Sequence, residues 1–460
     1  MFQKEILLVL LILGLQILSR FILLKRNIWL GKDSFYHLIV ARYVRKEKKL
    51  PETIDAFVFK EDYNYPPLLH IILSLFNEKY DQKLQFITPI FDIVTGLIIF
   101  GCFYYLFNYS VALLILIIYI LTPITLDNSI SLSPRGIANT FFVGSLLSLL
   151  LYLTSYNLIF LLLAIFLASL VYITHRLTTQ ALWFVLISLT IFLHSIYPLL
   201  VLFLAIILAI IITKGFYIKS LKGHYTFIKL MYKSVIDPKK RDEVKAKIPN
   251  PITMFFNMPY LICLPLFFIV TLSNNIEYKF IFIWGLSVTF IAIFWFLGEG
   301  YRHIYLAVVP YAVYISLWVN SYKLEILSFL IVISVIFIIL KLYRIENNNK
   351  LHMTINEDFI NCCKYIAKNK NPKDVILCLP LDYTYQVAYF TNGIMLQGSG
   401  GEGKGLEFNL YLHSKVNNNE IQDIIDKYNP KWVLDTSNYY LTTNLVFSSG
   451  NIKVNKVERY

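Results

Sequence analysis

The sequence predicts an all-α polytopic membrane bundle of about eleven transmembrane helices, followed by a small C-terminal α/β domain. Three observations carry that expectation. Of the 460 residues, 57% are hydrophobic and only 15% charged, whereas soluble domains sit near one quarter charged. Apolar runs long enough to cross roughly 30 Å of hydrocarbon recur along the first three quarters of the chain. Past residue 342 the pattern changes to amphipathic helices alternating with short apolar strands. The expected division is a membrane part at 1–342, with a first long loop at 25–82, and a soluble domain at 343–460.

Hydropathy places the membrane runs at 5–24, 83–107, 110–126, 137–153, 157–173, 180–194, 196–212, 254–272, 279–297, 304–320 and 323–342. The first has one leading lysine and no small-residue cleavage site, which reads as a retained anchor rather than a signal peptide. Residues 180–212 fit either one long helix or two short ones broken at Ser195-Ile196-Tyr197-Pro198. The stretch PPLLHIILSLF at 66–76 is too short to span, so it predicts a re-entrant or surface helix begun by its proline pair. In the tail, NEDFINCCKYIAKNK predicts a helix and KDVILCLP a buried strand. A second helix follows from Asp382 to Phe390, then a strand at GIMLQ, a helix at NNNEIQDIIDKY and a strand at KWVLD. This alternation suggests a largely parallel sheet. The loop GSGGEGKG lacks the spacing of a phosphate-binding loop and reads as a flexible connection.

The net charge of +13 is concentrated in two loops, Lys25 to Lys60 and Lys214 to Lys247. Basic loops beside a bilayer meet anionic lipid headgroups. No nucleic-acid-binding module accompanies them, so membrane lipids and not nucleic acid are the expected partners. Five cysteines are present without a CxxC pair, which suggests neither a zinc site nor a disulfide framework.

With eleven spans, parity puts GKDSFYH, SPRG, THR, GEGYRH and the tail on one side of the membrane. The opposite links are short and nearly chargeless. Charged residues at a membrane boundary are costly and are functional candidates by default. Asp33 is the foremost of them: it follows the first span directly and opens the amphipathic stretch DSFYHLIVARYVRK. An aspartate there suits a helix N-cap, or a general base taking a proton from an acceptor hydroxyl or amide. His37, one turn along, suits orienting an acceptor, touching a phosphate, or a plain interfacial role. The adjacent acids Glu61 and Asp62 fit cation binding, acid–base work, or simple solvation. Asp92, inside a span, is expected to be protonated or paired with Arg20 of the first span, in a structural rather than a catalytic role. On the basic side, Arg135, His175, Arg176, Arg302 and His303 each sit where a span meets that same side. Arginines so placed suit a phosphate or diphosphate at the bilayer surface, or snorkelling to headgroups. Glu299, three residues before Arg302, is spaced to orient that guanidinium.

DSFYHLIVARYVRKEKKLPE, followed by YNYPPLLH, resembles the first external loop of the polytopic C-type glycosyltransferases, the GT-C fold. The likeness runs in particular to the oligosaccharyltransferase catalytic subunits. FLGEGYRHIYLAVVP is similar to a late-span Glu-x-x-Arg segment of that superfamily. The resemblance implies a transferase that takes a sugar from a polyprenyl-(di)phosphate carrier and passes it to a glycan, lipid or protein acceptor. It also implies an extracytoplasmic tail domain, against the positive-inside expectation. Asp33 then matches the catalytic carboxylate, with inversion at the anomeric carbon, and the arginines would stabilise the leaving phosphate.

Departures from the family pattern are equally legible. Gly31-Lys32-Asp33 stands where the oligosaccharyltransferases carry Asp-x-Asp, so one presumed metal ligand is missing. Lys32 lessens the need for a divalent cation. No WWDYG-type motif occurs in the tail, and Ser133-Pro134-Arg135-Gly136 replaces the second-loop acidic motif. A metal-independent transferase adding one sugar is the resulting expectation. The rivals are a flippase for polyprenyl-linked glycans, which predicts repeated halves and polar residues on both faces, and a non-catalytic membrane scaffold.

Overall fold

The computed structural model describes residues 2–26, 32–60, 62–236, 251–263, 275–294, 300–322, 332–340, 343, 355–380, 383–396, 418–436, 441 and 443–457. Its helices in chain order are α1 (Phe2–Arg26), α2 (Lys32–Glu47), α3 (Leu68–Ser74), α4 (Ile87–Leu106), α5 (Tyr109–Leu121), α6 (Pro123–Ser129), α7 (Pro134–Ser155), α8 (Leu158–Tyr172), α9 (Arg176–Leu193), α10 (Tyr197–Ile212), α11 (Phe216–Ile236), α12 (Pro251–Asn257), α13 (Ile276–Ile293), α14 (Val308–Tyr322), α15 (Glu357–Asn369), α16 (Thr384–Thr391) and α17 (Asn418–Tyr428). The strands are β1 (Val375–Leu379), β2 (Ile394–Met395), β3 (Trp432–Asp435), β4 (Asn444–Ser449) and β5 (Ile452–Lys456). The chain forms two compact units. The first comprises 1–28, 82–221 and 246–348, and the second 29–81, 222–245 and 349–460.

The first unit is helical. Among the described residues, six helices are long and apolar enough to cross a membrane, or up to eight if each of two bent pairs is one span. The expected runs at 254–272 and 323–342 lie partly outside the described residues. Short polar side chains punctuate the rest: Asn108 caps α5 through Val111 N at 3.0 Å, and Asn157 caps α8 through Ile159 N at 3.0 Å. The 180–212 stretch resolves into two helices, because His194 ends α9 in the left-handed region (φ 50°) and Pro198 sits in the first turn of α10.

The bend of 64° between α5 and α6 has an identifiable cause. Pro123 has no N–H for the Tyr119 carbonyl, and the Thr125 hydroxyl donates to that carbonyl at 3.0 Å instead. Beside the bend, Arg20 of α1 donates to the Ile120 carbonyl at 3.1 Å and, through Nε, to Asp92 Oδ2 of α4 at 3.2 Å. Gln16 and Tyr119 complete the carboxylate shell, each at 2.7 Å. Arg20 and Asp92 are 2% and 1% exposed. Of the two expectations for Asp92, the pairing with Arg20 is thus present, with both carboxylate oxygens hydrogen-bonded.

The second unit is built on a five-stranded sheet of order β2-β1-β3-β5-β4. The parallel expectation holds for β1 with β2 and β1 with β3 only. β3–β5 and β4–β5 are antiparallel, so the sheet is mixed. The correction comes from a C-terminal hairpin turning at Gly450, which adopts φ +55°; a side chain there would strike the Asp358 carboxylate at 2.6 Å. Leu377, Leu379 and Val433 pack with Ile421, Ile424 and Ile425 of α17 on one face. α15 covers the hairpin side, burying Phe359, Cys362, Cys363 and Ile366. The GSGGEGKG loop lies outside the described residues.

The first long loop belongs to this unit. Met395 N donates to Ala56 O at 2.8 Å and Val58 N to Met395 O at 2.9 Å, so residues 56–58 occupy the outer edge of β2. The proline-started helix predicted at 66–76 is α3, preceded directly by Pro67.

Candidate active site

Within the second unit, α2 carries the principal candidate. The helix is described from Lys32, and Asp33 is an acid of its first turn. Its carboxylate is exposed and makes no hydrogen bond or ion pair among the described residues. A free carboxylate at a helix N-terminus is favoured by the exposed N–H dipoles, and it is sterically open to an incoming nucleophile.

His37, one turn further, is buried against α3. Its Nδ1 lies 2.9 Å from His70 Nε2, and His70 Nδ1 lies 2.6 Å from the Tyr63 hydroxyl. One arrangement of neutral rings satisfies the chain: Tyr63 O–H donates to His70 Nδ1, and His70 Nε2–H donates to His37 Nδ1. Sequence reading singled out His37 and passed over His70, which looks like a lone polar residue in an apolar run. Its partner Tyr63 sits seven residues earlier, beyond Pro66-Pro67, and that spacing was the available signal.

Burial, and secondarily the neighbouring His37, hold His70 well below the ordinary imidazole value of 6.5. The unfolded chain therefore takes up a proton before the fold does, and stability is complete above pH 6.5 and declines as pH falls below it. The slope for one such group is up to about 1.4 kcal/mol per pH unit. Thermal melts of the full chain in detergent should show this decline, and His70→Asn should flatten it; an unchanged slope in the variant would refute the assignment.

The far half of α2 is pinned by charge. Arg45 contacts Asp81 Oδ1 at 3.1 Å, and the Tyr389 hydroxyl donates to Asp81 Oδ2 at 2.9 Å. Arg42 reaches Glu78 at 2.6 Å, donates to the Tyr389 carbonyl at 3.1 Å and lies 4.4 Å over the Tyr389 ring. These contacts fix the axis on which Asp33 is carried. Asp62 is exposed and bridges to Thr53 through its backbone. Glu61 lies outside the described residues.

Within the first unit, α7, α9 and the helical turn Gly300–Ala307 each pack against the other two. Phe184 of α9 meets Phe290 of α13 at 5.9 Å between ring centroids, and Trp284 Nε1 of α13 donates to the Leu306 carbonyl at 3.0 Å. Arg135, in the first turn of α7, donates to Asn128 Oδ1 at 3.3 Å. His175 caps α9, its Nδ1 accepting from Thr178 N at 3.3 Å. Arg176 is the first residue of α9 and buried, and Arg302 is half-buried. His303 is 1% exposed, and neither ring nitrogen has a hydrogen-bond partner among the described residues. Glu299 lies outside the described residues. No group of three or more His, Cys, Asp or Glu residues able to hold a metal ion occurs among the described residues.

No protein-family model matches the chain, and no curated protein matches it. Solved structures do. ArnT from Cupriavidus metallidurans, bound to undecaprenyl phosphate, superposes with a TM-score of 0.62 at 10% identity, over 97% of each chain. The oligosaccharyltransferase of Archaeoglobus fulgidus in its apo form matches with a TM-score of 0.60 at 12% identity, over 93% of this chain and 69% of that one. The archaeal oligosaccharyltransferase AglB from the same organism, in complex with an inhibitory peptide and a dolichol-phosphate, gives 0.58 at 11% identity over the same shares. The chain shares the fold of these structures, the GT-C fold.

Proposed function

We propose that the chain transfers a sugar from a polyprenyl-(di)phosphate carrier to an acceptor on the extracytoplasmic side of the membrane, with inversion at the anomeric carbon. The observation that carries this reading is the correspondence with ArnT over nearly the whole of both chains, combined with an open carboxylate at the start of α2. In the proposed step the acceptor hydroxyl or amide attacks the anomeric carbon. Its proton passes to Asp33, the bond from anomeric carbon to phosphate oxygen breaks, and the electron pair leaves with the polyprenyl phosphate. The cationic groups that the sequence offers for stabilising the leaving phosphate are Arg135, Arg176 and Arg302, with His175 and His303. His37 acts through His70 to hold α2, and thereby Asp33, in place. No metal enters the step.

The test is reconstitution of the full chain in liposomes containing a polyprenyl phosphate that carries a radiolabelled sugar. The expected result is free polyprenyl phosphate accumulating in equal amount with labelled acceptor. Labelled carrier reaching the opposite leaflet with its sugar still attached would instead establish a flippase. Absence of both, with bound partner proteins recovered, would favour a scaffold.

A further inference from the structure

Beside α2 the second unit holds an open cavity of about 400 Å³, inside the range of small-molecule sites. One wall is the outer half of α2 with Arg42, Tyr43, Lys46 and Glu47. The second is the loop 51–56 with Thr53 and Asp55, and the third is the turn between α16 and β2 with Asn392 and Gly393. All three walls are fixed before any ligand arrives. The loop is held to β2 by the two backbone bonds at Met395, α2 is held by Arg42 and Arg45, and Asn392 is set in the left-handed region at φ 47°. Gly393 leaves no room for a side chain, since a Cβ would sit 2.4 Å from Ile376 Cδ1.

The lining narrows the class of ligand. Two cations face two carboxylates, and the cations are already engaged: Arg42 with Glu78, and Lys46 with Glu47 at 3.6 Å. Asp55 is likewise taken up by Lys60 at 2.7 Å. No surplus positive charge remains for a phosphate. Apolar side chains, among them Ile39, Val40, Ile54 and Ile394, alternate with these polar groups, so the walls are amphipathic and form no continuous apolar channel for a polyprenyl tail. The β2 edge, where a peptide would add as a strand, is occupied by residues 56–58. What remains is a ring face (Tyr43), a hydroxyl (Thr53), an amide (Asn392) and partly engaged carboxylates, a set that suits a neutral polyhydroxylated ligand. Arg42 Nε–H is buried without an acceptor among the described residues, which leaves one donor open in the wall.

We propose that this cavity binds the non-reacting end of a neutral oligosaccharide acceptor. The inference rests on the transferase reading and adds a class of acceptor to it. Helical geometry supplies the ruler. Val40 and Glu47 line the cavity and lie seven and fourteen residues from Asp33, so all three share a face of α2. At 1.5 Å per residue, Tyr43 lies about 15 Å along the helix from Asp33. A chain of several linked sugar rings spans that distance, with its terminal hydroxyl at the carboxylate. A monosaccharide does not.

The test uses saturation-transfer NMR on the full chain in detergent, with gluco-, manno-, galacto- and chito-oligosaccharides from mono- to tetrasaccharide as probes. At least one tri- or tetrasaccharide should bind, with its monosaccharide much weaker. Asn392→Gly, which keeps the backbone angle and removes the amide, should weaken binding about tenfold or more, as should Tyr43→Leu. Asp33→Asn should bind normally. Circular dichroism melts confirm that each variant is folded. Binding by none of the probes, or binding indifferent to both cavity substitutions, overturns the proposal. Sugar transfer to a peptide or simple lipid while all probes fail would overturn the cavity assignment and leave the transferase reading intact. Cavity-dependent binding without any transfer would do the reverse.

Discussion

Asp33→Asn is expected to abolish sugar transfer while leaving the protein folded. The substitution removes one proton-accepting oxygen and keeps size and shape, so a loss of roughly 10²- to 10⁴-fold in turnover is the expected range for deleting a general base. Stability should hardly move, because the carboxylate is exposed and bonded to nothing among the described residues. Carrier binding should persist, since the phosphate contacts are assigned to other side chains. The measurement is the initial rate of labelled-sugar transfer in liposomes, beside a melt of the same preparation. A rate within a few-fold of the parent would remove Asp33 from the mechanism. A collapsed melt would mean that the residue is structural.

Asp92→Ala should have the largest effect on stability. It strands the Arg20 guanidinium, 2% exposed, and deprives Gln16 and the Tyr119 hydroxyl of their acceptor. Breaking one side of a buried pair costs about 3–5 kcal/mol, a fall on the order of 10 °C in the melting midpoint. Arg20→Met combined with Asp92→Leu should recover much of that loss, since no uncompensated charge is left buried. If Asp92→Ala alone melts within a degree or two of the parent, the pair is not a determinant of the bundle. Its position beside the α5–α6 bend also predicts loss of activity only in proportion to loss of folded protein.

Much of this architecture is readable from residue order, and the exceptions share a cause. Long apolar runs announce helices because the bilayer forbids unsatisfied backbone, and Asp92 with Arg20 stood out because a charge inside such a run needs a partner. The tail's first three strands were legible as apolar stretches flanked by helices. β4 and β5 were not. NLVFSS and IKVNK alternate weakly, and their pairing depends on a glycine turn and on α15 packing above them. The histidine chain was half seen, as one member sits in a conspicuous motif and the other inside PPLLHIILSLF. The Asp81–Tyr389 bond joins residues 308 positions apart, and no local pattern encodes such a contact. Asp33 was conspicuous as the acid at a span boundary, yet its freedom from partners emerges only in three dimensions.

The stitching of residues 56–58 onto β2 has a bearing on biogenesis. The strand that receives them is synthesised more than three hundred residues later. At translation speeds of about 5–20 residues per second, the loop waits tens of seconds for its partner. Throughout that interval the nascent polypeptide threads successive helices into the bilayer with its earliest globular fragment still open. A message truncated before codon 394 would yield an inserted product lacking a complement for that fragment, the kind of unpaired surface that quality-control proteases recognise.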